Sequence, residues 1–241
     1  DLAELERRLA AARDERDRAA AKLGAGRRQA AKALDQSVTA LMQGLGMPGG
    51  VFVTRVEPRP ANDVGEHGAD DVEFLVSANP GQPPRSLAKV ASGGELSRIS
   101  LALQVATLNA THLPCLVFDE VDAGVGGAVA EMVGRQLRAL AASGQVLCVT
   151  HLPQVASQAD QQVRVRKQTS GARTRTMLEP LGQDERVEEI ARMLGGAEIT
   201  ARTREHAREM LEAARAAVAP KARAASRGAG SSGARSARAK S

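Results

Sequence analysis

Hydrophobic positions change their spacing several times along the chain, and each change marks an element. Leu2, Leu5, Leu9 and Ala12 recur three or four apart among Arg and Glu, Arg16 interrupts the seam, and the spacing resumes at Leu34, Val38, Leu41 and Leu45. Gly46 and Pro48 end that helical stretch, and Gly24 and Gly26 in KLGAGRRQ are expected to break it. Val51 to Val56 and Val72 to Val76 are strand-like and flank a polar loop rich in Pro, Gly and Asp, which predicts an antiparallel pair. Helical spacing returns at Leu96, Ile99, Leu103 and Ala106 or Ala110. Cys115 to Phe118 and Val146 to Val149 are short uninterrupted apolar runs, the pattern of strands covered on both faces in a parallel sheet. Between them Val129, Met132 or Val133, Leu137 and Leu140 predict a helix that Gly144 stops. QQVRVRKQ and TRTMLEPL, around Ser170 and Gly171, predict a closing hairpin. Residues 184 to 215 read as two helices divided by Gly195 and Gly196, with Ile190, Met193 and Leu194 toward the core.

Strand, helix, strand with short joints is a βαβ unit, whose crossover makes its two strands parallel. Asp119 and Glu120, after the first strand, and Thr150 and His151, after the second, are therefore expected at one sheet edge. Ligands of open α/β sheets bind outside the carboxyl ends of the strands. One carboxylate there can hold the hydration shell of Mg²⁺, a cation that takes few protein oxygens. The other can orient or deprotonate an attacking water, and an imidazole beside them can sense a γ-phosphate. Upstream, Ser92 and Glu95 are spaced as a capping box at a helix start. Gly93 and Gly94 would let a bulky anion reach the exposed amides and the positive end of the helix dipole. Taken singly, each feature has an ordinary alternative: a capped helix, an acidic pair closing a loop, a histidine in a loop. His67, His112 and His206 have no such neighbours and read as structural or solvated.

The strings ASGGELSR, CLVFDE, VDAG and VTH resemble the signature motif, Walker B strand, D-loop and switch histidine of ATP-binding-cassette ATPases. VEFLVSANPG, LAKVASGGELSRISLAL, LVFDEVDAGVGG, QVLCVTHLPQVASQAD and ERVEEIARMLGG resemble, within that superfamily, the RecN branch of SMC-like DNA-repair ATPases, from about residue 34 to 212. The resemblance implies an α/β fold: the C-terminal lobe of an ATPase head, with a mostly parallel sheet flanked by helices, added antiparallel strands and an N-terminal coiled-coil stump. It assigns Ser92, Gly93 and Gly94, with Glu95, to the ATP of an opposing subunit. It makes Asp119 a Mg²⁺ holder through water, Glu120 the general base, Asp122 a D-loop residue crossing a dimer interface, and His151 the switch.

One departure limits what this chain can do. No segment carries Gly, four residues, Gly, Lys and Ser or Thr, and Gly24 and Gly26 lack the lysine and hydroxyl that such a phosphate loop uses. The resemblance supplies the missing loop from an N-terminal Walker A half across a long coil, so the chain alone is expected to be inactive. Opening at Asp1 within a charged helix, it reads as an excised piece. The expected organisation is residues 1–45 as the end of the coil arm and the helix leading inward, 46–215 as the lobe, and 216–241 as a basic disordered tail.

Composition agrees and adds little. A hydrophobic share of 43% in 241 residues can fill a core, no run approaches a membrane span, and no signal peptide is visible. Cytoplasmic, nucleoid-associated residence is expected, and Cys115 and Cys148 read as reduced thiols in buried strands. From Pro220 onward Lys221, Arg223, Arg227, Arg235, Arg238 and Lys240 supply six positive charges against a net of +5, so the remainder is near neutral. Such a tail could grip DNA phosphates without sequence preference. The expected function is ATP hydrolysis between two engaged heads of a homodimer in DNA double-strand break repair and recombination. The alternative is a mainly structural ATP-dependent clamp that tethers DNA ends.

Overall fold

The computed structural model describes residues 1–60, 63–90, 92–108, 114–170, 173–195 and 198–216. Ala91, Ala110, His112, Gly171, Gly196 and the basic segment after Ala216 lie outside them. The first element, α1 (Leu2–Gly44), is one helix of 43 residues, about 65 Å long at 1.5 Å per residue. Its residues 2–19 are exposed, Leu2, Leu5 and Leu9 included; burial begins at Ala20 and is complete at Val38 and Met42.

The expected break at Gly24 and Gly26 does not occur. Gly24 lies where α1 meets the next sheet, and a Cβ there would stand 2.8 Å from Asp70 Oδ2. Asp70 is drawn in by Arg27 and Arg28, which each donate to its carboxylate at 3.4 Å. This glycine permits close approach inside a helix, and the helix runs on through it. Gly26 has nothing within 4 Å of such a Cβ, and the structure offers no account of it.

β1 (Val51–Pro58) pairs antiparallel with β2 (Asp70–Ser77), and β2 with the two-residue β3 (Arg85–Ser86). The free edge of β1 is covered by α1: Thr39 Oγ1 accepts from the Phe52 amide at 3.0 Å, and Asp35 Oδ1 from Thr54 at 2.7 Å. A helix laid along an edge in this way satisfies amides that would otherwise invite another strand. Phe52 then packs beneath Val38, Met42 and Leu45 in the main core.

α2 (Gly93–Ala106) follows, then β4 (Cys115–Phe118), α3 (Gly127–Ala141) and β5 (Gln145–Cys148). β4 and β5 are parallel, with Cys115 opposite Gln145 and Phe118 opposite Cys148. Within the described residues this is the parallel pairing of the mixed α/β fold; the other three pairings are antiparallel. Ile99, Leu101 and Ala102 of α2 and Val133, Leu137 and Leu140 of α3 enclose the core side of the pair. Leu96, expected in that face of α2, is exposed.

The expectation that β4 and β5 are covered on both faces is corrected. Leu116, Phe118, Val146 and Cys148 face the core, whereas Val117, Leu147 and Val149 are 69%, 50% and 63% exposed. Cys115, expected to be buried, is exposed on that bare face. After the short α4 (Pro153–Ala156), β6 (Val163–Ser170) and β7 (Arg173–Pro180) form the closing hairpin. α5 (Gln183–Gly195) and α6 (Ala201–Ala216) build a second cluster around Ile190, Ala191, Ala207 and Leu211. No helix among the described residues is long and apolar enough to cross a membrane.

Candidate functional site

The parallel register decides where the chemistry goes. Phe118 and Cys148 are partners, and the Val149 amide donates to the Phe118 carbonyl at 3.0 Å, so the chain leaves both strands at the same end. Asp119 and Glu120 emerge from one strand and Thr150 and His151 from the other, at that end. Both carboxylates and the imidazole side chain of His151 are exposed there.

Asp119 Oδ1 accepts from the Glu120 amide at 2.9 Å. Glu120 itself has φ of +57°, a left-handed conformation that a residue with a Cβ adopts at a cost of about 1–3 kcal/mol. The backbone therefore turns sharply at the candidate base. The loop then passes through Val121 and Asp122, both buried, before Gly124 and Gly127 take positive φ and α3 begins.

α2 brings its start to this loop. Ser92 is the N-cap, its hydroxyl accepting from the Glu95 amide at 3.4 Å. The return bond of a full capping box is not formed among the described residues; Glu95 instead lies where its charge acts on Arg98. A side chain at Gly93 would collide with Glu120 Oε2, and one at Gly94 would stand 3.0 Å from Ala123 Cβ. The two glycines thus admit the loop after β4, and the carboxylate that comes against Gly93 is that of Glu120. Two side chains that sequence reasoning passed over fasten this contact. Ser97 Oγ donates to the Asp119 carbonyl at 2.8 Å, and buried Arg98 donates to the Ala123 carbonyl at 2.7 Å. For Arg98 a signal was available in its one-turn spacing from Glu95; for Ser97 there was none.

Asp122 is turned inward. It is 3% exposed, accepts from the Thr150 hydroxyl and from the His151 amide at 3.2 Å, and stands 3.5 Å from His151 Nδ1. An outward reach across an interface is not its posture in this chain. Burial, aided by the charges of Asp122 and Asp119, pushes the Cys148 thiol up to about 12.

The residues suit a hard cation held through water better than one held directly. Asp119 offers one exposed carboxylate, and the described residues hold no group of three or more His, Cys, Asp or Glu arranged as a metal cage.

No family model matches the chain. The DNA repair protein RecN of Xylella fastidiosa strain 9a5c is 47% identical over 211 residues, 88% of this chain and 38% of that protein. RecN of Vibrio cholerae is 49% identical over 196 residues, 81% of this chain and 35% of that one. Over most of its length this chain resembles the RecN proteins. It spans well under half the length of the RecN relatives it matches. Among solved structures, an Smc head domain with coiled coil from Pyrococcus yayanosii is similar at a TM-score of 0.48 and 20% identity, over 66% of this chain and 28% of that one.

Proposed function

We propose that this chain is the signature-and-switch half of an SMC-like ATPase head that works in DNA double-strand break repair and recombination. The observation that carries the reading is the shared strand end: Asp119, Glu120 and His151 delivered together, with the start of α2 fastened to the same loop. Identity near half to RecN proteins across most of the chain supports the choice of process.

In this reading Glu120 takes a proton from the attacking water, and Asp119 orders the water shell of the Mg²⁺ that accompanies ATP and offsets phosphate charge. His151 orients the γ-phosphate end. Ser92, Gly93, Gly94 and Glu95 present the start of α2 to nucleotide on a second head, where exposed amides favour an anion. Glu120 lies against Gly93 in the free chain, so head engagement would separate the two.

The cradle for most of the triphosphate comes from the Walker A half, and the bare face of β4 and β5 is its seat. Val117, Leu147 and Val149 leave apolar surface of the kind a sheet face buries against another layer. The exposed leucines at the start of α1 suit a coil partner. DNA would be held without sequence preference, with the basic segment after Ala216 as one contact. The 1–45, 46–215 and 216–241 division follows from these roles.

The test is Glu120→Gln in the complete protein. Turnover should fall by at least about a hundredfold, the scale of a lost general base, while ATP-driven head dimers persist. Unchanged turnover would overturn the assignment of Glu120. Loss of turnover with DNA-end tethering intact would favour the clamp, in which closure matters more than hydrolysis.

A further inference from the structure

We propose that Thr150 and Asp122 act as a positioning pair for His151, with Asp122 fixing the imidazole through Nδ1 and Thr150 fixing Asp122. This rests on the ATPase reading for its catalytic consequence, but the contact itself does not depend on that reading.

The argument begins with a buried charge. Asp122 is 3% exposed, and among the described residues no Lys or Arg forms an ion pair with it. A carboxylate removed from water needs donors, because an uncompensated buried charge costs several kcal/mol. One oxygen, Oδ2, gathers two of them from a single stretch of chain, the Thr150 hydroxyl and the His151 amide at 3.2 Å, and stands 3.5 Å from His151 Nδ1. Thr150 Oγ1 meanwhile accepts from the Leu152 amide at 3.0 Å. Its one proton has two acceptors in reach, the charged Asp122 oxygen and the neutral Leu152 carbonyl at 3.4 Å, and charge-assisted bonding selects the carboxylate.

The imidazole has little else to hold it. His151's side chain is 72% exposed, so packing does not select its orientation. At 3.5 Å the Nδ1 contact is longer than a good hydrogen bond, and it brings that nitrogen beside the carboxylate. A carboxylate on one side of a histidine selects the tautomer with the proton there and leaves the far nitrogen as the working atom. Nε2 is thereby left for the outer side, where Glu120 and the nucleotide would meet it.

Two measurements test this. In the present chain, ¹⁵N NMR of the histidine rings should show His151 mainly as the Nδ1–H tautomer, and Asp122→Asn should move the ratio toward Nε2–H. In the complete protein, Thr150→Val and Asp122→Asn should each lower kcat on the order of tenfold, the scale on which supporting partners of functional histidines act, with KM for ATP little changed. Adding either to His151→Ala should cost nothing further, and Thr150→Ser, which keeps the hydroxyl, should restore most of the rate. Losses that add to those of His151→Ala, a wild-type rate in Thr150→Val, or a predominant Nε2–H tautomer in the unmutated chain would each overturn the proposal. If the complete protein turns over no ATP at all, it is the ATPase reading that fails, and the tautomer ratio still decides whether Asp122 holds the ring.

Discussion

The two faces of the β4–β5 pair are built from the same kinds of residue and live in different worlds. On one face Leu116, Phe118, Val146 and Cys148 lie against α2 and α3; on the other Cys115, Val117, Leu147 and Val149 stand in solvent. Apolar surface on a sheet is stabilising only when something covers it. The difference therefore separates what this chain holds together by itself from apolar surface that it leaves uncovered.

The largest effect should come from the covered face. Phe118→Ala removes a ring that is 5% exposed and is expected to cost about 3–5 kcal/mol, read as a lower urea midpoint. Val117→Ala, one residue away, should cost the isolated chain no more than about 0.5 kcal/mol. Equal losses at the two positions would mean that the bare face is covered in solution by a second copy or by a rearrangement.

The reverse experiment loads the bare face with charge. Val117→Lys combined with Leu147→Lys should leave the chain's own urea midpoint nearly unchanged, yet weaken its capture of the co-expressed Walker A half at least about tenfold, some 1.4 kcal/mol. Intact capture would remove this face as the docking seat.

Much of this geometry was legible because period-two and period-3.6 patterns report which positions prefer cover. The βαβ unit, the common exit of Asp119 and His151, and the hairpin from Val163 all follow from local spacing and the rule for crossovers. What the pattern could not say is whether the cover is present in the same chain. Val117 and Phe118 are both apolar β-formers, and the sequence does not distinguish the one that meets α2 and α3 from the one that meets solvent. Gly24 failed for a related reason: a glycine inside a helix reads as a break unless the Asp70 that approaches it, 46 residues away, is known. The inward contacts of Asp122 were likewise not legible from its own loop, because its partners, Thr150 and His151, lie beyond a whole helix and strand.

Gly24 and Gly26 extend the comparison to α1, where again residue type is shared and surroundings differ. Alanine at Gly26 meets open space and should stabilise the helix by up to about 1 kcal/mol. Alanine at Gly24 must push against Asp70, and is expected to lose that gain and about 1 kcal/mol more. A shared stabilisation at both sites would show that the α1–β2 contact yields easily.

A chemical reporter of the two faces is also available, because each carries one cysteine. Cys115 on the bare face should react with a maleimide at neutral pH far faster than Cys148 on the covered one. Cys148 is doubly protected, by burial and by a thiol pushed from its ordinary value of 9.0 up to about 12. The raised value has a consequence for stability whose sign is fixed by proton binding. Below pH 9 both folded and unfolded chains keep this proton and stability is unaffected; between 9 and 12 the unfolded chain releases it first, so stability falls as pH rises. Cys148→Ala should flatten that alkaline decline. If the decline persists unchanged in that variant, Cys148 is not shielded as its surroundings imply, and the contrast between the two faces loses its chemical basis.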